Sequence, residues 1–227
     1  MKIPLVDLKA QYNSIKDEID YSIQSVINKT AFIKGEFVDQ FEHDFKKFCG
    51  IKHCIGVGNG TDALFIALKS LGIGYNDEVI TVANSWISTS ETISQTGAKP
   101  IFIDIDKEYY SINTDKIHQK ITSKTKAIIP VHLYGHPANM TEILEISKNY
   151  GLKVIEDCAQ AHFAYWDNKM VGSIGDIGTF SFFPGKNLGA YGDAGGLITN
   201  DSVLAERIRM FSNHGSLIKH DHKMEGI

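Results

Sequence analysis

Seven short β-prone runs recur along this chain of 227 residues, at 54–57, 78–82, 100–104, 127–131, 153–156, 179–182 and 196–199, and helical patterns separate most of them. That alternation constrains the fold more than any other feature. A helix that follows a strand carries the chain back to the sheet's starting end, so successive strands lie parallel and the helices bury their apolar stripes on the sheet's two faces. The expectation is an α/β fold with a seven-stranded, mostly parallel sheet covered by helices. Two further helices precede it. Ile15, Ile19, Ile23, Val26 and Ile27 recur at near-helical spacing, and Phe37, Val38, Phe41, Phe45 and Phe48 mark a second amphipathic face. No low-complexity linker or internal repeat divides the chain, and its length suits one well-filled core, so residues 1–227 read as one domain.

Charge and cysteine usage narrow the function classes. A net charge of −4 argues against a polyanion-binding surface, so no nucleic-acid partner is expected. Cys49, Cys54 and Cys158 are odd in number and form no C-x-x-C pair, which fits reduced thiols better than a disulfide framework. The N-terminus turns polar too early for a signal-peptide core, and no apolar run approaches the roughly 20 residues of a membrane helix. A soluble, cytoplasmic protein with no membrane partner is expected.

Two stretches carry chemistry. Ser181-Phe182-Phe183-Pro184-Gly185-Lys186-Asn187-Leu188-Gly189 sets one lysine in a Gly-containing loop after an apolar strand, and Ile155-Glu156-Asp157-Cys158-Ala159-Gln160 ends an earlier strand on an aspartate. An amine that attacks an aldehyde needs a fixed position and a depressed pKa. A buried carboxylate facing a pyridine nitrogen keeps that nitrogen protonated, so the ring draws off electrons. Together the two stretches describe a pyridoxal 5'-phosphate site, with Lys186 and Asp157 as the catalytic residues. Most of the 23 basic residues are expected to be solvated; Lys186 differs because its loop is rigid and poor in other charges.

Other motifs carry two readings each. Gly58-Asn59-Gly60-Thr61-Asp62-Ala63 is either a phosphate cradle at a helix N-terminus or an ordinary strand-to-helix turn capped by Thr61 or Asn59. Trp86 follows the second strand, where it can stack on a ligand or simply fill the core. Asp157 also suits an ion pair or a cap, and Gln160 and Ser181 suit loop hydrogen bonds. His132 and His136 are four apart, but Gly135 and Pro137 break the helix that would align them on a metal, and no metal site is expected. His220-Asp221-His222-Lys223 reads as a solvated run, with Lys219, His220 and Lys223 as weaker candidates for receiving a nucleotide diphosphate.

These motifs resemble the DegT/DnrJ/EryC1/StrS family of PLP-dependent nucleotide-sugar aminotransferases. The resemblance runs from Pro4-Leu5-Val6-Asp7-Leu8-Lys9 through Ala83-Asn84-Ser85-Trp86 and Pro130-Val131-His132-Leu133-Tyr134-Gly135 to Asn213-His214-Gly215. It implies the large domain of the aspartate aminotransferase type fold, known as fold type I. By resemblance, Gly60, Thr61 and Ser181 hold the cofactor phosphate, Trp86 covers the ring and Gln160 bonds its ring oxygen. Asp157 meets the ring nitrogen, and Lys186 takes the aldehyde. Relatives with histidine in place of Lys186 act as sugar dehydratases, so lysine favours transamination. Phe163 stands after His162 where many relatives have glycine, and His162 is given no role. The implied partners are a nucleotide-linked keto sugar, an amino-acid donor such as glutamate and a second copy in a homodimer. The amino sugar would serve surface polysaccharide or a related glycan, with C3 and C4 amination both open. The family continues into a smaller C-terminal domain that this chain does not contain, which raises a rival reading of a PLP-binding remnant without turnover. It also leads us to expect self-association, weak cofactor binding and poor turnover of the 227-residue chain. An NAD-linked sugar oxidoreductase is the other rival. After Gly56-Val57-Gly58 the third glycine of a dinucleotide fingerprint would fall at Thr61, so that motif fails.

Overall fold

The computed structural model describes residues 3–227. Its elements in chain order are α1 (Leu8–Ser14), α2 (Lys16–Lys29), α3 (Glu36–Cys49), β1 (His53–Val57), α4 (Gly60–Ser70), β2 (Glu78–Val82), α5 (Ser88–Gln95), β3 (Lys99–Ile103), β4 (Thr125–Ile129), α6 (Met140–Tyr150) and β5 (Lys153–Asp157). There follow β6 (Tyr165–Trp166), β7 (Lys169–Met170), β8 (Ile177–Ser181), β9 (Gly195–Thr199), α7 (Ser202–Phe211), β10 (Ser216–Ile218) and β11 (Asp221–His222). The main sheet has seven strands in the order β1-β9-β8-β5-β4-β2-β3, and β9 alone runs against the others. All seven expected runs are strands of this sheet. Short hairpins β6–β7 and β10–β11 lie outside it.

Side chains alternate across the sheet with the period of two that strands impose. Ile55, Val79, Ala127, Ile129, Ile155, Ile177 and Leu197 face α4 and α7. Ile80, Ile128 and Val154 face the other way onto Met140, Ile143 and Ile146 of α6. Further along that face Phe180 and Ile198 meet Phe45 of α3. Full burial of each large apolar side chain contributes about 1.5–3 kcal/mol, so both covering layers are needed to hold the strands.

Three sequence expectations shift. The run at 127–131 is strand only to Ile129, because Pro130 has no N–H for the ladder and Val131 keeps a single bridge to Asp157. The run at 179–182 begins earlier, at Ile177. Gly178 hides that start from any propensity rule, yet a Cβ there would fall 2.3 Å from the Gly172 carbonyl oxygen, so only glycine lets the two backbones meet. The expected N-terminal helix forms as α2, but none of its residues is buried, and Ile23 and Ile27 remain 46% and 48% exposed.

β1 is an edge strand, and two charged side chains close it. Glu42 of α3 accepts from Gly56 N–H at 2.9 Å, and Arg209 of α7 donates both to Glu42 at 2.6 Å and to the Cys54 carbonyl at 2.8 Å. Outward-facing backbone groups that would otherwise recruit a foreign strand are thereby satisfied. Replacing Glu42 with alanine is expected to lower unfolding free energy by about 1–3 kcal/mol, because it leaves Gly56 N–H without its acceptor and Arg209 with the Cys54 carbonyl alone. Lys153→Ala, which breaks the exposed Lys153–Asp176 pair, should cost under about 1 kcal/mol. Urea titrations giving the two variants equal midpoints would show that the edge clamp adds nothing.

Candidate active site

The chain runs outward from β2 to the edge strand β3 and then back past β2 to β4 and β5, so the connections diverge between β2 and β4. Open α/β sheets place ligands outside the carboxyl ends of the strands at such a switch point. A cavity of about 530 Å³ lies there, and Gly60, Thr61, Trp86, Asp157, Gln160, Ser181 and Lys186 all line it. The ends of four strands, β1, β2, β5 and β8, and the loop after β8 thus bring together seven residues that are far apart in sequence.

One wall is the turn from β1 into α4. Asn59, rather than Thr61, is the N-cap of α4, its side chain accepting from Asp62 N–H at 2.8 Å. That frees the Thr61 hydroxyl to pair with Ser88 at 2.7 Å. A Cβ at Gly60 would fall 2.6 Å from Ser181 Cβ, and one at Gly195 would fall 2.2 Å from the Asn59 carbonyl oxygen. The turn is therefore pressed between the end of β8 and the start of β9. The N-terminal turn of α4 and the Ser181 hydroxyl face the same space, as an anion requires.

Asp157 forms the floor. It is 5% exposed, and its carboxylate accepts only from Thr89 Oγ1 at 2.9 Å and Ala159 N–H at 3.1 Å. Burial raises its pKa above the ordinary carboxylate value, and the two hydrogen bonds and the nearby Lys186 only partly oppose that. A buried carboxylate held by neutral donors fits a cationic ring nitrogen. Gln160 accepts from Tyr134 N–H through Oε1 at 2.9 Å, which leaves its amide N–H groups as donors. Trp86 is 74% exposed on the cavity wall, so the core-filling alternative for it is excluded. Glycines that a Cβ would close, a hydroxyl at a helix N-terminus, an uncompensated acid and a lysine are together what pyridoxal phosphate demands.

Behind this floor, Glu156 and His132 are fully buried. His132 Nδ1 accepts from Ala138 N–H, so the proton is on Nε2, which donates to Glu156 at 3.1 Å. The same carboxylate accepts from the N–H groups of Gly172, Ile174 and Gly175 at 2.7–2.8 Å. The Cys158 Sγ lies within 4.8 Å of both, but its thiol is pushed well up by burial and then by the neighbouring carboxylates, and it donates weakly to the Glu156 carbonyl. This cluster is a hydrogen-bonded brace.

Sequence reasoning missed Thr89, which holds Asp157 from 68 residues away, and Ser85, which bonds Thr89 at 2.8 Å. A run of hydroxyl residues from Ser85 to Thr92 was visible beside Trp86, but nothing in it points to a partner on β5. It also missed Asp62 and Asp193, which line the cavity's other side. Burial, and then the charge of Asp193, raise the pKa of Asp62.

The chain matches the DegT/DnrJ/EryC1/StrS aminotransferase family over residues 13–227. It is 47% identical to a "pleiotropic regulatory protein" of Geobacillus stearothermophilus, an alignment covering 100% of this chain and 61% of that one. To the UDP-N-acetyl-3-dehydro-α-D-glucosamine 3-aminotransferase of Acidithiobacillus ferrooxidans it is 45% identical, covering 99% and 61% respectively. Among solved structures, NtdA from Bacillus subtilis with bound cofactor PMP superposes with a TM-score of 0.94 at 35% identity, covering 100% of this chain and 52% of that one. The chain thus spans about three fifths of the length of the curated relatives it matches. With the sheet order, the cavity and the motifs in agreement, the chain belongs to the DegT/DnrJ/EryC1/StrS aminotransferase family.

Proposed function

We propose that this chain is the cofactor-binding part of an aminotransferase that uses pyridoxal phosphate to move an amino group from an amino acid, glutamate, to a nucleotide-linked keto sugar. The observation that carries this is the pairing of a buried, under-compensated Asp157 with Lys186 on one cavity. Relatives named as nucleotide-sugar aminotransferases support the substrate class. When bound, the cofactor supplies an aldehyde that takes up an amine and a pyridinium ring that withdraws electrons. Asp157 holds the proton on the ring nitrogen, and Gly60, Thr61 and Ser181 receive the phosphate. Gln160 donates to the ring oxygen and Trp86 shields one ring face from water. Lys186 Nζ would hold the cofactor at its aldehyde carbon and, once released by the donor amine, would be the base that takes the proton from the donor's α-carbon and returns it to the cofactor. The donor leaves as its 2-oxo acid and the sugar's keto carbon receives the amine, in two half-reactions with ping-pong kinetics. The amino sugar would feed surface glycan assembly.

The protein is further inferred to act as a homodimer in the cytoplasm. Trp86, Ile87, Tyr134, Phe183 and Tyr191 are exposed, and Ile23 and Ile27 leave an apolar stripe on α2, more than isolated surface residues require. Cys49, Cys54 and Cys158 are free and buried, in keeping with a reducing compartment. Among the described residues no helix is long and apolar enough to cross a membrane. Sedimentation should show a concentration-dependent dimer, and a monomer throughout the micromolar range would overturn the inference.

Borohydride treatment of the PLP-loaded chain should link the cofactor to Lys186, read by peptide mass mapping. A label on Lys153 or Lys169 would sink the site assignment. Asp157 gives a second test with a defined sign. Its raised pKa means that the folded, cofactor-free chain binds more protons than the unfolded one just above the ordinary carboxylate range, so stability falls as pH rises through that window. In Asp157→Asn that fall should disappear, while single-turnover reaction with glutamate slows by about a hundredfold or more. Unchanged pH dependence together with near-parental rates would remove Asp157 from this role.

A further inference from the structure

His162 has no part in the chemistry above, yet its ring is 5% exposed and sits beside the loop that carries Lys186. Its Nδ1 is 2.7 Å from Asn187 Oδ1, and Asn187 Nδ2 donates to the His162 carbonyl at 3.3 Å. A carbonyl oxygen only accepts, so the second bond identifies the nitrogen end of the Asn187 amide. Oδ1 therefore faces Nδ1, and Nδ1 must carry the proton. The other ring nitrogen, Nε2, is buried without a hydrogen-bond partner. Around it stand the rings of Phe182, Phe180 and Phe163, with centroids 5.4, 5.5 and 6.4 Å from that of the imidazole. Burial lowers the ring's pKa, and the charge of Lys186 adds to this, against the bond to Asn187 and a weaker contact with the Ser181 backbone. The ring is a neutral imidazole whose one N–H is directed at the residue after Lys186.

The surrounding backbone shows why this contact has leverage. Lys186 N–H donates to the Phe183 carbonyl at 2.8 Å and Ala190 N–H to that of Phe182 at 2.7 Å, closing the loop on itself. A Cβ at Gly189 would fall 2.4 Å from the Pro184 carbonyl oxygen, so the loop is also tightly folded. Those contacts set its shape. The two bonds between His162 and Asn187 tie that shape to the segment after β5, the strand that carries Asp157. Phe163 keeps His162 in place at φ 63°, a left-handed conformation that favours glycine, with its ring 4.6 Å from that of Phe48 and 6.1 Å from that of Phe45. Aromatic packing thus holds a non-glycine residue in a left-handed turn.

We propose that His162 is a positioning residue for Lys186, its Nδ1–H acting through Asn187 to hold the lysine in place over the cavity floored by Asp157. The proposal rests on Lys186 as the residue that takes up the cofactor. Substitutions can separate donor from bulk, because an asparagine amide nitrogen lies near the place of Nδ1 whereas phenylalanine fills the aromatic cage without a donor. The full chain, freed of cofactor, is mixed with pyridoxal phosphate and quenched with borohydride at timed intervals. Label at Lys186 is read by peptide mapping, and melting temperature without cofactor is recorded in parallel. His162→Phe and Asn187→Ala should each slow labelling by about tenfold, the effect of one lost hydrogen bond at the upper end of its range. His162→Asn should stay within about threefold of the parent, and the double variant His162→Phe/Asn187→Ala should be no slower than either single one. These differences should not follow the melting temperatures. Labelling of His162→Phe at the parental rate, His162→Asn as slow as His162→Phe, or additive effects in the double variant would each overturn the proposal. If His162→Phe does not fold, His162→Asn and Asn187→Ala decide it by the same criteria. A label away from Lys186 in the unaltered chain refutes the site itself; label at Lys186 at equal rates in all variants refutes the positioning role alone.

Discussion

The brace around Glu156 is the interaction on which the rest of the site depends. Its buried carboxylate accepts four N–H groups, one from His132 at the exit of β4 and three from the loop that leads into β8. A charge in this environment is tolerable only with such complete hydrogen bonding. Because it sits on β5, the brace fixes three neighbouring strand ends relative to one another. The next residue, Asp157, points to the other side by strand alternation and meets only two neutral donors. Adjacent carboxylates on one strand therefore serve opposite purposes. One is satisfied by the fold, and the other stays under-compensated on the cavity floor.

Close backbone approach governs the opposite wall. Gly60 against Ser181 and Gly195 against Asn59 remove side chains where a helix N-terminus, a strand end and a strand start converge. The dipole and free N–H groups of α4 then reach the cavity instead of being covered by the protein itself. Thr61, where a dinucleotide-binding turn would need its third glycine, is engaged with Ser88 on α5 and links two rim helices. The same geometry that admits a phosphate therefore disfavours a nicotinamide dinucleotide.

Much of this is legible in the sequence. The seven strands were visible because their apolar runs alternate with helical patterns; Lys186 and Asp157 stood out by their loop and strand-end settings, whereas Gly60, Thr61, Trp86, Gln160 and Ser181 were singled out by the family resemblance. Contacts made across long separations were not. Thr89 beneath Asp157, Arg209 and Glu42 on the edge of β1, and His162 against Asn187 each pair residues whose local sequence gives no sign of the partner. The exposed stripe of α2 shows the converse, since its spacing specifies a helix but not whether anything covers it.

The sequence by itself determined the secondary structure, the parallel character of the sheet, the family and the residue types available to the site. These follow from local periodicity and from motifs a few residues long, which act at short range. Tertiary structure alone decided which carboxylate stays under-compensated, whether Asn59 or Thr61 caps α4, which tautomer His162 adopts and how the loop of Lys186 is tied down. Each of those depends on burial and on hydrogen-bond partners brought together from distant parts of the chain, and the cost of an unpaired polar group is set only once water has been excluded.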